Sequence, residues 1–279
     1  MNRFAESFQV RPFRKSDLAV AWELSRAAGW NQTAEDWRRQ YEMDPSGCFV
    51  ACVAGETIGT VTSCRYGGVA WIAMMLVAEH WRRKGVGRAL MGRVIEHLET
   101  SHVRTIRLDA TPLGQPLYES LGFRADFQLT RFRMRIDERS SQPSKMNPLL
   151  EQMVRMDTSA YGYDRQHLIR WLLSMPGALA LSSGEGKSFL MARPGHIATF
   201  IGPCVCEADK NATRLISAAV KACPPGTVFI DVPQPNVNAT QLVERLGFVA
   251  DRSLQRMTRG EGQVENTLKI YATSGPENG

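Results

Sequence analysis

The chain of 279 residues is long enough for one large domain or two of ordinary size, and its 43% hydrophobic and 22% charged residues are typical of a folded protein. No apolar run approaches the length of a membrane span, and Asn2, Arg3 and Glu6 do not begin a signal peptide, so we expect a cytoplasmic protein without a membrane partner. A net charge of +6 suits a small anionic ligand, whereas the lack of a long basic run with interleaved aromatic residues argues against a nucleic-acid partner.

The six cysteines show neither paired Cys-x-x-Cys spacing nor the density of a disulfide scaffold, so we expect free thiols. Cys204 and Cys206 have the spacing of two metal ligands, but no nearby histidine pair completes a site. We therefore predict a buried strand at this position and no metal ion.

The first part of the chain carries the signals of two helices. Ser16 and Asp17 open a helical pattern that runs to about Ala28, and Thr33 has the position of an N-cap, with Asp36 three residues further on.

A mixed sheet is predicted from residue 49 onward. A continuous apolar run over residues 71–77 is typical of a strand buried on both faces. Apolar residues at helical spacing follow from Val86. The other predicted elements are strands over 49–53, 57–63 and 105–109, a short helix over 116–121, and a strand over 131–136 with an apolar and a basic face. This order predicts an α/β fold with helices on both faces of the sheet.

The chain also contains an internal repeat. Residues 117–132, LYESLGFRADFQLTRF, align without gaps to residues 242–257, LVERLGFVADRSLQRM, at an offset of 125 residues. So long a period indicates two whole domains. Residues 138–148 are polar and punctuated by proline, as a linker is. We therefore expect one domain over residues 1–137 and a second over residues 149–279.

The segment between the predicted strand 71–77 and the helix that starts at Val86 combines cations with glycines. Gly85 and Gly87 lack the Cβ atoms that would keep a ligand away from the backbone. The preceding cations are Arg82, Arg83 and Lys84. Because the amides at a helix start attract anions, the segment predicts a phosphate-binding turn. An ordinary strand-to-helix turn with a solvated basic face is the alternative.

Two motifs carry a family resemblance. The first has the pattern V-x-x-x-x-R-x-x-G-x-G, at Val77, Arg82, Gly85 and Gly87. The second has the pattern LY-x-x-x-GF, at Leu117, Tyr118, Gly122 and Phe123. In this order and separation they resemble the GNAT superfamily of acyl-CoA-dependent N-acetyltransferases, and the resemblance covers about residues 8–136.

Further segments resemble a GNAT subfamily in which a second, diverged GNAT domain follows the first. They are residues 28–33, 108–118, 161–165 and 201–203, together with Asp157. The resemblance implies two tandem GNAT-like domains, each with a mixed, mostly antiparallel sheet, a central V-shaped splay and helices on both faces.

The resemblance also implies a site for acetyl-CoA in the splay, between the strands that end at Val77 and near Asp109. Tyr118 would protonate the departing CoA thiolate, a proton transfer that acyl transfer to an amine requires. The residues implied in cofactor binding are Met75, Leu76, Val77, Arg82, Arg83, Lys84, Gly85, Val86, Gly87, Arg88, Thr111 and Gly114.

The chain departs from the family pattern at two places. Thr111 and Gly114 stand where many relatives carry Asn and Ala, and the strand 71–77 lacks the carboxylate that is the usual general base. Candidates for this base are Glu79, Asp109 and Glu35, with a water chain to the solvent as another route. A surface or structural role for each carboxylate is the alternative.

A further group of aromatic and acidic residues has the chemistry to meet a cationic amine by cation–π contact and ion pairing. They are Trp30, Glu35, Asp36, Trp71, Tyr161 and Tyr163. Packing in a core or an interface is the alternative for all of them.

The second half of the repeat lacks the features of the phosphate-binding turn. At the same offset Gly85 becomes Lys210 and Tyr118 becomes Val243, and no glycine occurs between Gly202 and Gly226. Glu207 and Asp209 would repel a pyrophosphate. We therefore predict that the second domain has no pyrophosphate loop and does not bind CoA productively.

Together these observations predict an N-acetyltransferase that moves an acetyl group from acetyl-CoA to the primary amine of a small molecule, by direct transfer through a ternary complex. We expect a monomer or a homodimer. The alternatives are a non-catalytic acyl-CoA-binding or sensing protein, and a protein or peptide N-acetyltransferase.

Overall fold

The computed structural model describes residues 7–138, 149–183, 186–262 and 265–279. The chain divides into two compact units, Met1–Arg107 and Leu108–Gly279. Apart from Glu138, the expected linker lies outside the described residues.

The first unit combines three helices with a sheet in which the strands follow one another in the order β1-β2-β3-β4-β5. Its elements are β1 (Gln9–Pro12), α1 (Leu18–Ala27), α2 (Ala34–Met43), β2 (Phe49–Val53), β3 (Glu56–Tyr66), β4 (Val69–Val77), α3 (Val86–Thr100) and β5 (Thr105–Ala110), whose last three residues belong to the second unit. Neighbouring strands are antiparallel except β4 and β5, which are parallel.

Local sequence signals account for these elements. Thr33 caps α2, with its hydroxyl accepting a hydrogen bond from the Asp36 amide at 3.2 Å, while the Asp36 carboxylate accepts from the Thr33 amide at 2.8 Å. The apolar stripe of α3 includes Leu90 and Leu98, and both are fully buried. The predicted capping box, central strand and following helix are thereby confirmed.

Helix α3 packs tightly on β3 because of one glycine. A Cβ atom at Gly59 would lie 3.0 Å from the carbonyl oxygen of Leu76 and 3.1 Å from the side chain of Leu90. Glycine at this position therefore lets the helix and the sheet approach each other closely.

The second unit contains a sheet in the order β11-β6-β10-β9-β8-β7, with β12 paired to β9. Its elements are α4 (Gln115–Glu119), β6 (Arg124–Ile136), α5 (Leu150–Tyr161), α6 (Gln166–Ser174), β7 (Leu179–Ser182), β8 (Ser188–Arg193), β9 (Thr199–Cys206), α7 (Asp209–Ala222), β10 (Gly226–Pro233), α8 (Val237–Arg245), β11 (Val249–Gly260) and β12 (Ile270–Ala272). The pair β9–β10 is parallel, and the other pairs are antiparallel.

Strand β6 explains why the two units do not coincide with the expected domains 1–137 and 149–279. It pairs with β10 along one edge and with β11 along the other. A strand that the repeat assigns to the first domain is thus built into the sheet of the second unit, and it brings residues 108–137 with it.

The expected basic face of β6 is wrong at one residue. Arg133 and Arg135 are exposed, but Arg131 is 3% exposed and donates two hydrogen bonds of 2.7 Å to Asp231. The reason is a partner 100 residues away on β10, which the alternation within β6 does not reveal.

The six cysteines are free thiols, the state expected from their spacing, and all six are buried. Cys204 and Cys206 lie on β9 in the core of the second unit, which confirms the buried strand expected there.

Candidate active site

The end of β4 is paired on one edge only. Its parallel ladder with β5 covers three residue pairs, from Val69 with Thr105 to Trp71 with Arg107. Towards Val77 the strand β4 contains an irregularity in its pairing with β3. There Met74 has a φ of 51°, and its carbonyl oxygen accepts a hydrogen bond of 2.8 Å from the Thr60 hydroxyl. Bulges of this kind re-aim backbone groups next to functional sites. Met75, Leu76 and Val77, for which the family resemblance implies cofactor binding, lie at this end of β4.

The turn after β4 is anchored at both ends. Trp81 is 6% exposed, and its ring lies 4.7 Å beneath the ammonium of Lys84. Arg82 reaches back and donates from Nε to the carbonyl oxygen of Val77 at 3.1 Å. The turn is therefore held on the strand end although Arg82, Arg83 and Lys84 are exposed.

The turn delivers the chain into α3 through two left-handed residues. Arg83 has a φ of 59°, and Gly85, the N-cap of α3, has a φ of 85°. No side chain caps the helix. The amides of Val86 and Gly87 are the first of a 15-residue helix, and the first amides of an α-helix have no carbonyl acceptor within it. The first-turn amides, the positive end of a long helix and the exposed cations favour a phosphate group at this turn.

Tyr118 lies on the short helix α4, directly above a glycine. A Cβ atom at Gly114 would lie 2.9 Å from Cε2 of Tyr118 and 3.4 Å from its hydroxyl oxygen. The Tyr118 ring also contacts Phe123 edge-on, with 6.1 Å between the ring centroids. Gly122, with a φ of 84°, lies in the turn that follows the helix and allows the Phe123 amide to donate to the carbonyl oxygen of Tyr118 at 3.1 Å.

Thr111 holds the start of α4. The Gly114 amide donates to the Thr111 carbonyl oxygen at 2.9 Å and to its hydroxyl oxygen at 3.3 Å. Thr111 and Gly114, which form one of the two departures from the family pattern, therefore both contact the segment that carries Tyr118.

Tyr118 has the properties of a proton donor. It is half-buried, and burial raises its pKa to about 12. The phenol is therefore protonated at neutral pH, as a phenol of ordinary pKa also is, and the raised pKa makes it a weaker acid than free tyrosine.

The three carboxylates considered as bases have different surroundings. Both oxygens of Asp109 accept hydrogen bonds of 2.9 Å from Arg256, and burial raises the pKa of this carboxyl although Arg256 opposes the shift. Glu35 is paired with Arg38 on the surface of α2. Glu79 is exposed, in a 3₁₀ turn that begins two residues after β4.

Most residues considered for amine binding are core residues. Asp36, Trp71 and Tyr161 are completely buried. The Arg165 guanidinium stacks 3.3 Å from the Tyr161 ring centroid. Tyr163 is 7% exposed, and only Trp30 and Glu35 reach the surface appreciably. Packing, the alternative interpretation, describes the environment of the buried ones.

The second copy lacks the turn altogether. Where residues 78–85 join β4 to α3, only Glu207 and Ala208 join β9 to α7. The first helical residue, Asp209, accepts hydrogen bonds from the side chains of Asn238 and Tyr271. A short, acidic connection offers no cradle for a phosphate.

The strand β12 covers the edge of β9 that would otherwise be open. The parallel ladder of β9 with β10 ends at Ile201, and beyond it Cys204 and Val205 pair with β12. The Thr273 amide donates to the Asp231 carbonyl oxygen at 2.9 Å. This pairing could not be predicted from the repeat, since residues 270–272 lie outside it.

Within the described ranges, no three His, Cys, Asp or Glu residues are grouped so that they could hold a metal ion. No helix in the same part of the chain combines the length and apolar character needed to cross a membrane.

Comparison with known proteins identifies both halves of the chain. The model of the acetyltransferase (GNAT) family matches residues 18–123, and that of the acetyltransferase (GNAT) domain matches residues 153–272. Holothin acyltransferase of Pseudoalteromonas sp. (strain SANK 73390) is 23% identical over 98% of this chain and 95% of its own length. The uncharacterized N-acetyltransferase YitH of Bacillus subtilis (strain 168) is 24% identical over 71% of this chain and 73% of its own length.

The fold agrees with these relationships. A crystal structure described as that of an acetyltransferase from Pyrococcus horikoshii superposes with a TM-score of 0.86 at 23% identity, over 100% of this chain and 98% of that one. The chain therefore belongs to the GNAT acetyltransferases, with two GNAT domains in tandem, and is an acyltransferase.

Proposed function

We propose that the protein transfers an acetyl group from acetyl-CoA to the primary amine of a small molecule, by direct transfer through a ternary complex. The observation that carries this proposal is the turn between β4 and α3, where a left-handed Gly85 opens an uncapped helix beside three exposed cations. GNAT acetyltransferases generally use acetyl-CoA, whose pyrophosphate is the kind of anion that such a turn favours.

In this proposal the first domain holds the donor. The amides and side chains of residues 82–88 bind the pyrophosphate, and the backbone of residues 75–77 pairs with the extended pantetheine arm, with Thr111 and Gly114 as further contacts. Acetyl-CoA supplies an activated acyl group on sulfur. No side chain needs to be acylated, and the buried cysteines have no part in the reaction.

Tyr118 is the proposed acid. Its hydroxyl, which is protonated at neutral pH, gives a proton to the CoA sulfur as the thioester bond breaks. Of the base candidates, Glu79 is the carboxylate whose exposure suits proton exchange with an incoming amine. We propose a structural role for Asp109, because Arg256 occupies both of its oxygens.

A small-molecule acceptor is supported by one relative. The Pseudoalteromonas enzyme, which spans nearly the whole chain, is named for acyl transfer to holothin. Assays with a panel of small amines will identify the acceptor of the present protein.

The second domain, proposed to span residues 149–279, is not expected to bind CoA. The support is the short acidic connection before α7, the strand β12 on the edge of β9, and a fully buried Val243 at the position of Tyr118.

The test is release of free CoA from acetyl-CoA across a panel of small primary amines and peptides, for the wild type and Tyr118→Phe. We expect turnover with at least one small amine and a fall in kcat of about 100-fold or more in Tyr118→Phe, since positioned proton transfer contributes about 10²–10⁴-fold. Turnover with peptides alone, or no turnover with any amine, would overturn the proposed acceptor. An unchanged kcat in Tyr118→Phe would overturn the proposed acid.

A further inference from the structure

One buried arginine joins two parts of the chain that are 147 residues apart. Arg256 on β11 donates from Nε and Nη2 to the two oxygens of Asp109 on β5, both at 2.9 Å. From Nη1 it donates to Glu265 at 2.9 and 3.1 Å. The side chain of Arg256 is fully buried, and each carboxylate is 1% exposed. We call the fork between Arg256 and Asp109 the β5 clasp.

A second fork with the same donor atoms also joins the two copies of the repeat. Arg131, which aligns with Arg256 in the repeat, donates from Nε and Nη2 to the oxygens of Asp231, both at 2.7 Å. Asp231 lies on β10, which precedes α8 as β5 precedes α4. We call this contact the β10 clasp. In each clasp the strand after the motif LY-x-x-x-GF or its relic, β6 or β11, therefore binds the strand that precedes the equivalent helix of the other copy, β10 or β5.

Of the two clasps, the β5 clasp is the one whose strand is followed by a helix that carries a tyrosine. Asp109 lies two residues before Thr111, which holds the start of α4 through two hydrogen bonds from the Gly114 amide. Gly114 in turn lies against the ring of Tyr118. In the other copy the corresponding helix carries Val243, which is buried in the core. The two clasps are therefore matched in geometry and differ in what they support.

We propose that Arg256, a residue of the second GNAT domain, is a positioning residue for the acid of the first: by gripping Asp109 it fixes the end of β5, and with it α4 and the hydroxyl of Tyr118. This inference rests on the proposed role of Tyr118. Two parallel charge-assisted hydrogen bonds fix direction as well as distance, which a single contact does not. Asp109 serves here as an anchor, and its oxygens are not available to take a proton from an amine.

The inference predicts different effects of equivalent substitutions in the two clasps. Asp109→Asn and Arg256→Lys each break the fork, and Arg256→Lys keeps the positive charge that the buried carboxylates need. We expect kcat to fall by about 10- to 100-fold in both, because misplacement of a catalytic group by about 1 Å costs about 100-fold. Asp231→Asn breaks the β10 clasp and is the matched control, so it should lower the melting temperature by a similar amount without lowering kcat. KM for acetyl-CoA should stay within about twofold of the wild type in all three.

A double-mutant cycle with Tyr118→Phe shows whether Asp109 acts through Tyr118. If it does, Asp109→Asn should cost less than about threefold in the Tyr118→Phe background, because the acid it positions is already gone. The pH dependence of kcat/KM should keep its acid limb in Asp109→Asn, since an anchor does not exchange the substrate proton.

Three results would overturn the inference: an unchanged kcat in Asp109→Asn and Arg256→Lys, an equal loss in Asp231→Asn, or losses that multiply fully with that of Tyr118→Phe. Loss of the acid limb in Asp109→Asn would instead make Asp109 the base. Failure of the proposed acid is seen separately, in the single variant Tyr118→Phe.

Discussion

The contact between Gly114 and Tyr118 allows a sharp test of how the proposed acid, Tyr118, is positioned. In Gly114→Ala the new Cβ would lie 2.9 Å from Cε2 of Tyr118, whereas carbon atoms in ordinary contact are about 3.5–4.0 Å apart. Gly114 has a φ of −84° and a ψ of −28°, so alanine fits the backbone there without strain. The substitution therefore acts on the tyrosine ring, which must move by at least about 0.5 Å.

The size of the effect follows from this displacement. A misplacement of about 1 Å costs about 100-fold in rate, so we expect kcat to fall by about tenfold in Gly114→Ala. Overpacking in a core costs about 1–3 kcal/mol, and the low end, about 1 kcal/mol, applies because the ring is half-buried and can yield. Steady-state CoA release gives kcat, and urea unfolding gives the free energy of unfolding.

The control for this experiment is Gly92→Ala on the exposed side of α3. Nothing lies within 4 Å of the Cβ position of Gly92, so this variant should leave kcat unchanged and gain up to about 1 kcal/mol of stability from helix propensity. If Gly114→Ala retained the wild-type kcat, or lost as much activity in the Tyr118→Phe background as in the wild type, the reasoning about Tyr118 would be refuted.

Three further predictions concern the support of the site, its pH dependence and the second copy. Gly59→Ala should force α3 away from β3. We expect the free energy of unfolding in urea to fall by about 1–3 kcal/mol and the KM for acetyl-CoA to rise; an unchanged KM would show that the position of α3 does not affect cofactor binding. Because burial raises the pKa of Tyr118 from 10.0 to about 12, its folded form keeps the proton longer than the unfolded form; the stability from this shift is present below pH 10 and is lost as the pH rises through about 12. For the same reason kcat should not fall between about pH 8 and pH 10 through ionisation of Tyr118. A fall in this range that is absent from Tyr118→Phe would contradict the raised pKa. In Gly202→Ala the new Cβ would lie 1.9 Å from the carbonyl oxygen of Thr273, so we expect a loss of about 3 kcal/mol and no gain of a second acetyl-CoA site; a second site in a titration would show that β12 alone closes the second cleft.

The sequence predicted the elements whose signals are local. The apolar run that became β4, the glycines and cations of the following turn, and the capping box of α2 each lie within a few neighbouring residues. The motif around Tyr118 was equally readable, because Gly122 requires a left-handed backbone and the helix before it is short.

Long-range features could not be read in the same way. Arg131 and Arg256 match in the repeat, but their partners Asp231 and Asp109 are 100 and 147 residues away and on other strands. Alternation along a strand assigns an arginine to the solvent unless its partner is known. The repeat did show an arginine at the same position of both copies, but it did not show that each arginine pairs with an aspartate of the other copy.

The second copy shows another limit of pattern reading. The gap-free offset indicated altered residues at the positions of the turn, whereas the structure has a connection of only Glu207 and Ala208. Aromatic residues are similarly ambiguous, because Trp71 and Tyr161 have the chemistry of an amine site and the burial of a core.

The central claim is that one copy of the repeat, the first, binds acetyl-CoA. Calorimetric titration of acetyl-CoA into the wild type, Gly87→Glu and Lys210→Glu tests this claim directly, because the two substitutions place the same charge at the start of α3 and of α7. We predict one site per chain in the wild type, no measurable binding in Gly87→Glu, and unchanged affinity and stoichiometry in Lys210→Glu. Two sites per chain in the wild type, or equal losses in the two variants, would contradict the account.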